Sequence, residues 1–124
     1  MSANRVLLVE NDAATREVTR LLLNHAGYDV VAVHDLATGL AISRERQDIG
    51  MLVADMYLGC GEQSTSLISH LRRDNAAFPI VPTSADNEAS LIAGQLKVVF
   101  LRKPYGRLEL LSAIDCAASR AHLA

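Results

Sequence analysis

Five short runs dense in apolar and β-branched residues recur along the chain, at residues 6–9, 30–33, 49–54, 80–81 and 98–101, and a helix-length segment separates each from the next. Strands that alternate with helix-length segments cannot pair as hairpins, so the pattern predicts a parallel sheet built by crossovers. The runs are continuously apolar rather than alternating, which is the signature of strands covered by helices on both faces. A βα unit taken five times follows, an α/β doubly wound sheet.

The intervening segments carry helical periods. Asp12 is placed to cap a first helix, in which Val18, Leu21, Leu22 and His25 follow a three-and-four spacing before Gly27 ends it. Asp35 caps a second, with Leu36 and Leu40 one turn apart. Ser64 begins a third, with Leu67, Ile68 and Leu71 inward and His70, Arg72 and Arg73 in solvent. A short fourth is expected at about residues 87–95, with Leu91 and Ile92 inward. A fifth is expected at about residues 107–121, with Leu108, Leu111, Ile114 and Ala118 on one side.

With 124 residues, half of them apolar, the chain suffices for one core, and we read residues 1–124 as one domain. Twelve basic residues against fourteen acidic ones, with no long block of either sign, give no footprint for nucleic acid or an anionic membrane. No apolar run approaches a membrane span, and the first ten residues lack a signal-peptide pattern. Cys60 and Cys116 stand far apart without metal-ligand spacing, which fits inert thiols in a reducing cytoplasm.

In an open parallel sheet, ligands bind beyond the carboxyl ends of the strands. Here those ends carry Glu10-Asn11-Asp12, Asp55, Ser84 and Lys103. Asp12 reads first as a helix cap and second as metal support. Glu10 has no capping role, and an acid directly after the apolar run that precedes Asp55 is costly unless it is paired or bound to a cation. Ser84 alone fits a loop start and Lys103 alone a solvated turn. Their coincidence at matching strand ends is what points to chemistry. Crowded carboxylates suit Mg²⁺, and the set as a whole suits phosphoryl transfer to Asp55, with Lys103 and Ser84 on the phosphoryl oxygens.

Four segments in order, residues 6–12 (VLLVEND), 51–55 (MLVAD), 78–85 (FPIVPTSA) and 98–105 (VVFLRKPY), resemble the receiver domains of two-component response regulators. The resemblance covers essentially the whole chain. It implies a flavodoxin-like (βα)5 fold with strand order 2-1-3-4-5. It also implies phosphotransfer from a histidine kinase or histidine phosphotransfer protein, and a possible homodimer through the fourth helix, fifth strand and fifth helix. It makes Asp55 the phosphoacceptor, and Glu10, Asn11, Asp55 and the backbone carbonyl of Tyr57 the metal ligands. Ser84 and Lys103 become the phosphoryl-binding pair, and Ser84 and Phe100 the switch residues. A plain core phenylalanine is the alternative for Phe100.

The departures from the family pattern bear on mechanism. Asn11 stands where a second acid is usual, so Mg²⁺ is expected to be held weakly. Gly59 and Gly61 follow Asp55 where a proline is common, which predicts a more mobile loop. Pro82 lies inside the fourth strand and is expected to distort or shorten it. The short interval from Ser84 to Lys103 predicts a short or partly unwound fourth helix.

The leading expectation is a phosphoryl-accepting signalling domain, free-standing or part of a larger hybrid kinase, and not a conventional metabolic enzyme. The alternative is a receiver that cannot be phosphorylated and serves as a protein-binding module. An aspartyl phosphatase would need a second acid two residues after Asp55, where Tyr57 stands, and a flavin site would need a phosphate-cradling loop that is absent.

Overall fold

The computed structural model describes residues 4–58, 63–73, 75–86 and 99–123. Five parallel strands, β1 (Arg5–Val9), β2 (Asp29–Val33), β3 (Met51–Asp55), β4 (Ile80–Ser84) and β5 (Leu101–Arg102), form one sheet in the order β2-β1-β3-β4-β5. The helices are α1 (Ala13–His25), α2 (Leu36–Glu45), α3 (Thr65–Arg73) and α4 (Arg107–Leu123). This is the flavodoxin-like arrangement expected from the sequence. The expected helix at residues 87–95, with Leu91 and Ile92, lies outside the described residues, as do Cys60 and the glycines at 59 and 61. The helix here named α4 is therefore the fifth of the sequence reading.

Strand alternation divides the core in two. Leu7, Val9, Leu52, Ala54 and Ile80 face α2 and α3 and pack with Leu67 and Ile68. Val6, Leu8, Met51, Val53 and Val81 face α1 and α4 and pack with Leu23, Leu110 and Ile114. Both faces of the sheet are thus covered, which is why the strands read as unbroken apolar runs. Gly39 lets α2 lie close to the sheet, since a Cβ there would sit 3.1 Å from Val9 Cγ2 and 3.4 Å from Leu67 Cδ2.

Caps behave as the sequence suggests. Asp12 and Asp35 accept the backbone N–H of Thr15 and Thr38, and Gly27, just beyond α1, has a φ of 98° that favours glycine.

Several sequence expectations are corrected. The inward face of α1 carries Thr19 and Leu23, whereas Val18 and Leu21 are 56% and 44% exposed. Three consecutive leucines, Leu21 to Leu23, spread over more than half of the helix circumference, so periodicity alone did not choose the face. The buried side of α4 is Leu110, Ala113, Ile114 and Ala117, while Leu108 is 80% exposed and Ala118 also faces solvent. Arg72 is half-buried rather than solvated and donates to the Phe78 carbonyl at 3.3 Å.

Pro82 neither shortens nor breaks β4, whose five residues are all buried and which pairs on both sides. The carbonyls of Pro79 and Thr83 accept N–H groups of Leu52 and Met56, the latter just past β3, so parallel alternation turns Pro82 toward β5. The ladder with β5 begins only at Thr83 and Leu101, and the missing N–H falls short of it.

Candidate functional site

The carboxyl edge of the sheet gathers the residues singled out by sequence. β1 continues into Glu10, whose N–H donates to the Val33 carbonyl at 3.0 Å, so the residue is held by the ladder before its side chain turns inward. Arg16, one turn into α1, donates to the Glu10 carbonyl at 2.8 Å. β3 ends in Asp55 at the centre of the sheet. Lys103 follows β5, and its N–H donates to the Ser84 carbonyl at 3.0 Å.

Three side chains then meet. The Lys103 ammonium lies 2.6 Å from Glu10 Oε1 and 3.0 Å from Asp55 Oδ2. Glu10 is 1% exposed and Asp55 7%. The remaining oxygens are also engaged, because Glu10 Oε2 accepts the Asp12 N–H at 3.0 Å and Asp55 Oδ1 accepts the Tyr57 N–H at 3.2 Å. One half-buried cation faces two buried anions, a surplus of one negative charge in a poorly hydrated setting.

The titration directions reflect this crowding. Burial pushes the Glu10 carboxyl above its ordinary value, against the pull of Lys103, and the Asp55 charge pushes the same way. Burial would lower Lys103, but its bonds to Glu10 and Asp55 outweigh that and hold the ammonium protonated.

The other candidates stand around this trio. Asn11 is exposed in the turn between Glu10 and Asp12. Asp12 is given to its helix, since one carboxylate oxygen accepts both the Thr15 N–H at 2.9 Å and the Thr15 hydroxyl at 2.7 Å, bonds that hold its carboxyl below the usual range. Ser84 ends β4, buried, and its hydroxyl oxygen accepts the Asp86 N–H at 2.9 Å. Phe100 is half-buried against the core face of α2 and α3. Tyr57 forms a bridge with Gln63, which brings the two ends of the loop after β3 together.

Two features escaped the sequence reading. Ser64, fully buried, donates to the Asp55 carbonyl at 2.8 Å and its N–H to the Met56 carbonyl at 3.0 Å, fastening the start of α3 to the end of β3. A serine just before a helix signals only a cap. Thr19 and Tyr105 pair their hydroxyls at 2.7 Å between α1 and the loop after Lys103, a contact between residues 86 positions apart that no local pattern announces. Beside them an open cavity of about 470 Å³ is lined by Thr15, Val18, Thr19, Lys103, Pro104 and Tyr105 among others.

A divalent cation fits the charge of this site, because Glu10 and Asp55 together exceed the charge of Lys103. The fit is lean. Among the described residues no three His, Cys, Asp or Glu side chains converge as a metal-binding group, so neutral oxygens would have to complete the shell.

The family model described as the response regulator receiver domain matches residues 6–115. The chain belongs to this family. The sensor histidine kinase AruS of Pseudomonas aeruginosa is 33% identical over 96 residues, covering 74% of this chain and 9% of that protein. The two-component response regulator-like protein APRR3 of Arabidopsis thaliana is 32% identical over 113 residues, covering 86% of this chain and 22% of that protein. The chain thus spans less than a quarter of the length of either relative. A receiver domain protein from Clostridium thermocellum shares the fold with a TM-score of 0.84 at 20% identity, over 96% of this chain and 97% of that one. The receiver domain of the hybrid histidine kinase CckA aligns with a TM-score of 0.73 at 26% identity, over 91% and 97%. Receiver domains are signalling modules of two-component systems that interact with histidine kinases. No helix of the described residues is long and apolar enough to cross a membrane.

Proposed function

We propose that this receiver domain accepts a phosphoryl group on Asp55 from the phosphohistidine of a histidine kinase or histidine phosphotransfer protein. The observation that carries the reading is the ammonium of Lys103 held between the carboxylates of Glu10 and Asp55. An Asp55 oxygen forms the new bond to phosphorus as the nitrogen to phosphorus bond of the donor breaks, and the leaving imidazole keeps the electron pair and takes a proton. Lys103 follows the charge from the carboxylate to a phosphoryl oxygen as an undirected point charge. The Ser84 hydroxyl proton is available to a second oxygen. Mg²⁺, when bound, would neutralise phosphoryl charge, with Glu10, Asn11, Asp55 and the Tyr57 carbonyl as its protein ligands.

The acyl phosphate adds close to two negative charges beside buried groups, enough to redistribute Ser84 and Phe100 and to alter the surface by which the domain signals, homodimerisation included. The cytoplasm, where histidine kinases present their phosphohistidine, is the matching compartment.

Treatment with acetyl phosphate and Mg²⁺, followed by intact mass measurement, tests the reading. One phosphoryl adduct is expected on the wild type and none on Asp55→Asn. A second reading, a receiver that only binds protein partners, is favoured by Asn11 in place of an acid and by the diversion of Asp12 to its helix cap. Absence of any adduct, at every Mg²⁺ concentration and with a phosphorylated histidine donor, would overturn the first reading and support the second.

A further inference from the structure

Thr19 is a polar residue at the centre of the inward face of α1 and is 1% exposed. Helical threonines ordinarily return their hydroxyl to the preceding turn. Here the hydroxyl partner is Tyr105, 2.7 Å away across the gap to the β5–α4 loop. Tyr105 lies two residues beyond Lys103, and the intervening Pro104 fixes one backbone angle.

The segment from Lys103 to Gly106 is anchored at three points. Its first residue donates its N–H to the Ser84 carbonyl, its third is pinned by hydroxyl to Thr19, and its fourth donates its N–H to Glu109 Oε1 at 2.8 Å. The middle anchor alone ties the loop to α1, the helix that also holds Glu10 through Arg16. Glu10 and Lys103, the two groups that converge on Asp55, are therefore both referenced to α1.

We infer that Thr19 is a positioning residue, acting through Tyr105 to fix where Lys103 presents its ammonium to Glu10 and Asp55. The inference rests on the phosphoacceptor reading of Asp55 and extends it to a pair of hydroxyls outside the acidic site. The pair also forms part of the wall of the neighbouring cavity, and this bond is the hydrogen bond that ties the middle of the loop to α1 on that side. A 1 Å displacement of an aligned charge is enough to cost a large rate factor.

The test uses the intact chain and the variants Thr19→Val, Tyr105→Phe, the double variant and Thr19→Ser, with wild type and Asp55→Asn as references. Two readouts are taken: the rate of Asp55 labelling by acetyl phosphate at saturating Mg²⁺, and the NMR signals of the Lys103 Cε methylene with no phosphodonor present. Thr19→Val and Tyr105→Phe are each expected to slow labelling by about tenfold and to shift the Lys103 signals. The double variant should be no slower than either single one, because both remove the same bond. Thr19→Ser keeps the hydroxyl while losing a buried methyl, so it should melt earlier and yet label at the wild-type rate. Unchanged Lys103 signals in both single variants would overturn the inference, as would labelling rates that follow thermal stability, including a slow Thr19→Ser. If wild type itself takes no label, the phosphoacceptor reading fails, and the Lys103 signals still decide whether the tether positions the ammonium.

Discussion

The two edges of the sheet both gather ion pairs, and they are built to opposite effect. At the amino edge Arg5 pairs with Asp29 and, at 2.8 Å, with Asp48, which also takes Arg46 at 3.2 Å. Two cations meet two anions there, and all four side chains remain at least a quarter exposed. At the carboxyl edge one cation meets two anions, both carboxylates nearly excluded from solvent. The same side-chain chemistry closes one edge and leaves the other short of positive charge. A balanced, hydrated cluster has nothing to gain from a further ion, whereas an unbalanced buried one is stabilised by a cation and stands ready to exchange partners.

Removing Lys103 should separate the two edges most strongly. Lys103→Ala leaves Glu10 and Asp55 buried without a counter-charge, a change expected to cost about 3 kcal/mol of stability at neutral pH. Chemical denaturation would measure it. Added Mg²⁺ should recover much of the loss, and acidification should do the same as Glu10 takes a proton. A variant that is neither destabilised nor sensitive to Mg²⁺ would show that the carboxyl edge is as self-sufficient as the amino edge.

Adding an acid to the same edge tests its appetite for a cation. Asn11→Asp should tighten Mg²⁺ by about tenfold, measured by calorimetry, since a charged ligand replaces a neutral one. Equal affinities would mean that residue 11 stays outside the metal shell. The complementary change, Glu10→Gln, follows from the direction of the Glu10 shift. A carboxyl raised on folding contributes stability below its unfolded value and loses it as pH rises through the folded one. At neutral pH the folded protein is on the costly side of that window, so Glu10→Gln should raise the thermal midpoint without metal while weakening Mg²⁺ binding. The gain should disappear in acid.

These contrasts also mark what the sequence could convey. The parallel sheet and the placement of Glu10, Asp55, Ser84 and Lys103 at strand ends were legible because alternation and strand termini are local signals, whereas the strand order came from the resemblance, which also tied the four residues together. The faces of α1 and α4 were not. Leu21 to Leu23 satisfy more than one stripe, and the stripe chosen in the fold is the one that brings Thr19 to Tyr105, a contact decided by tertiary geometry. Pro82 misled for a related reason. Its lost N–H matters only if a neighbour needs it, and β5 is too short to reach. Asp12 carried two local meanings, cap and ligand, and only its bonds to Thr15 show which one its side chain serves in this structure.

The smallest effect should come from the amino edge, and its smallness is informative. Arg5→Ala breaks two ion pairs at once, yet Asp29 and Asp48 are 61% and 46% exposed and recover their hydration directly. The expected cost is below about 1 kcal/mol at low salt. It should shrink further as salt screens the exposed partners, in contrast to Lys103→Ala, whose buried partners salt cannot reach. The rate of Asp55 labelling should be unchanged, because β1 transmits no tilt from Arg5 to Glu10 while its ladders to β2 and β3 are intact. Denaturation at two salt concentrations and a labelling time course measure both quantities. A slowed label in Arg5→Ala would show that the two edges are coupled through β1 and that the amino cluster is part of the site's support.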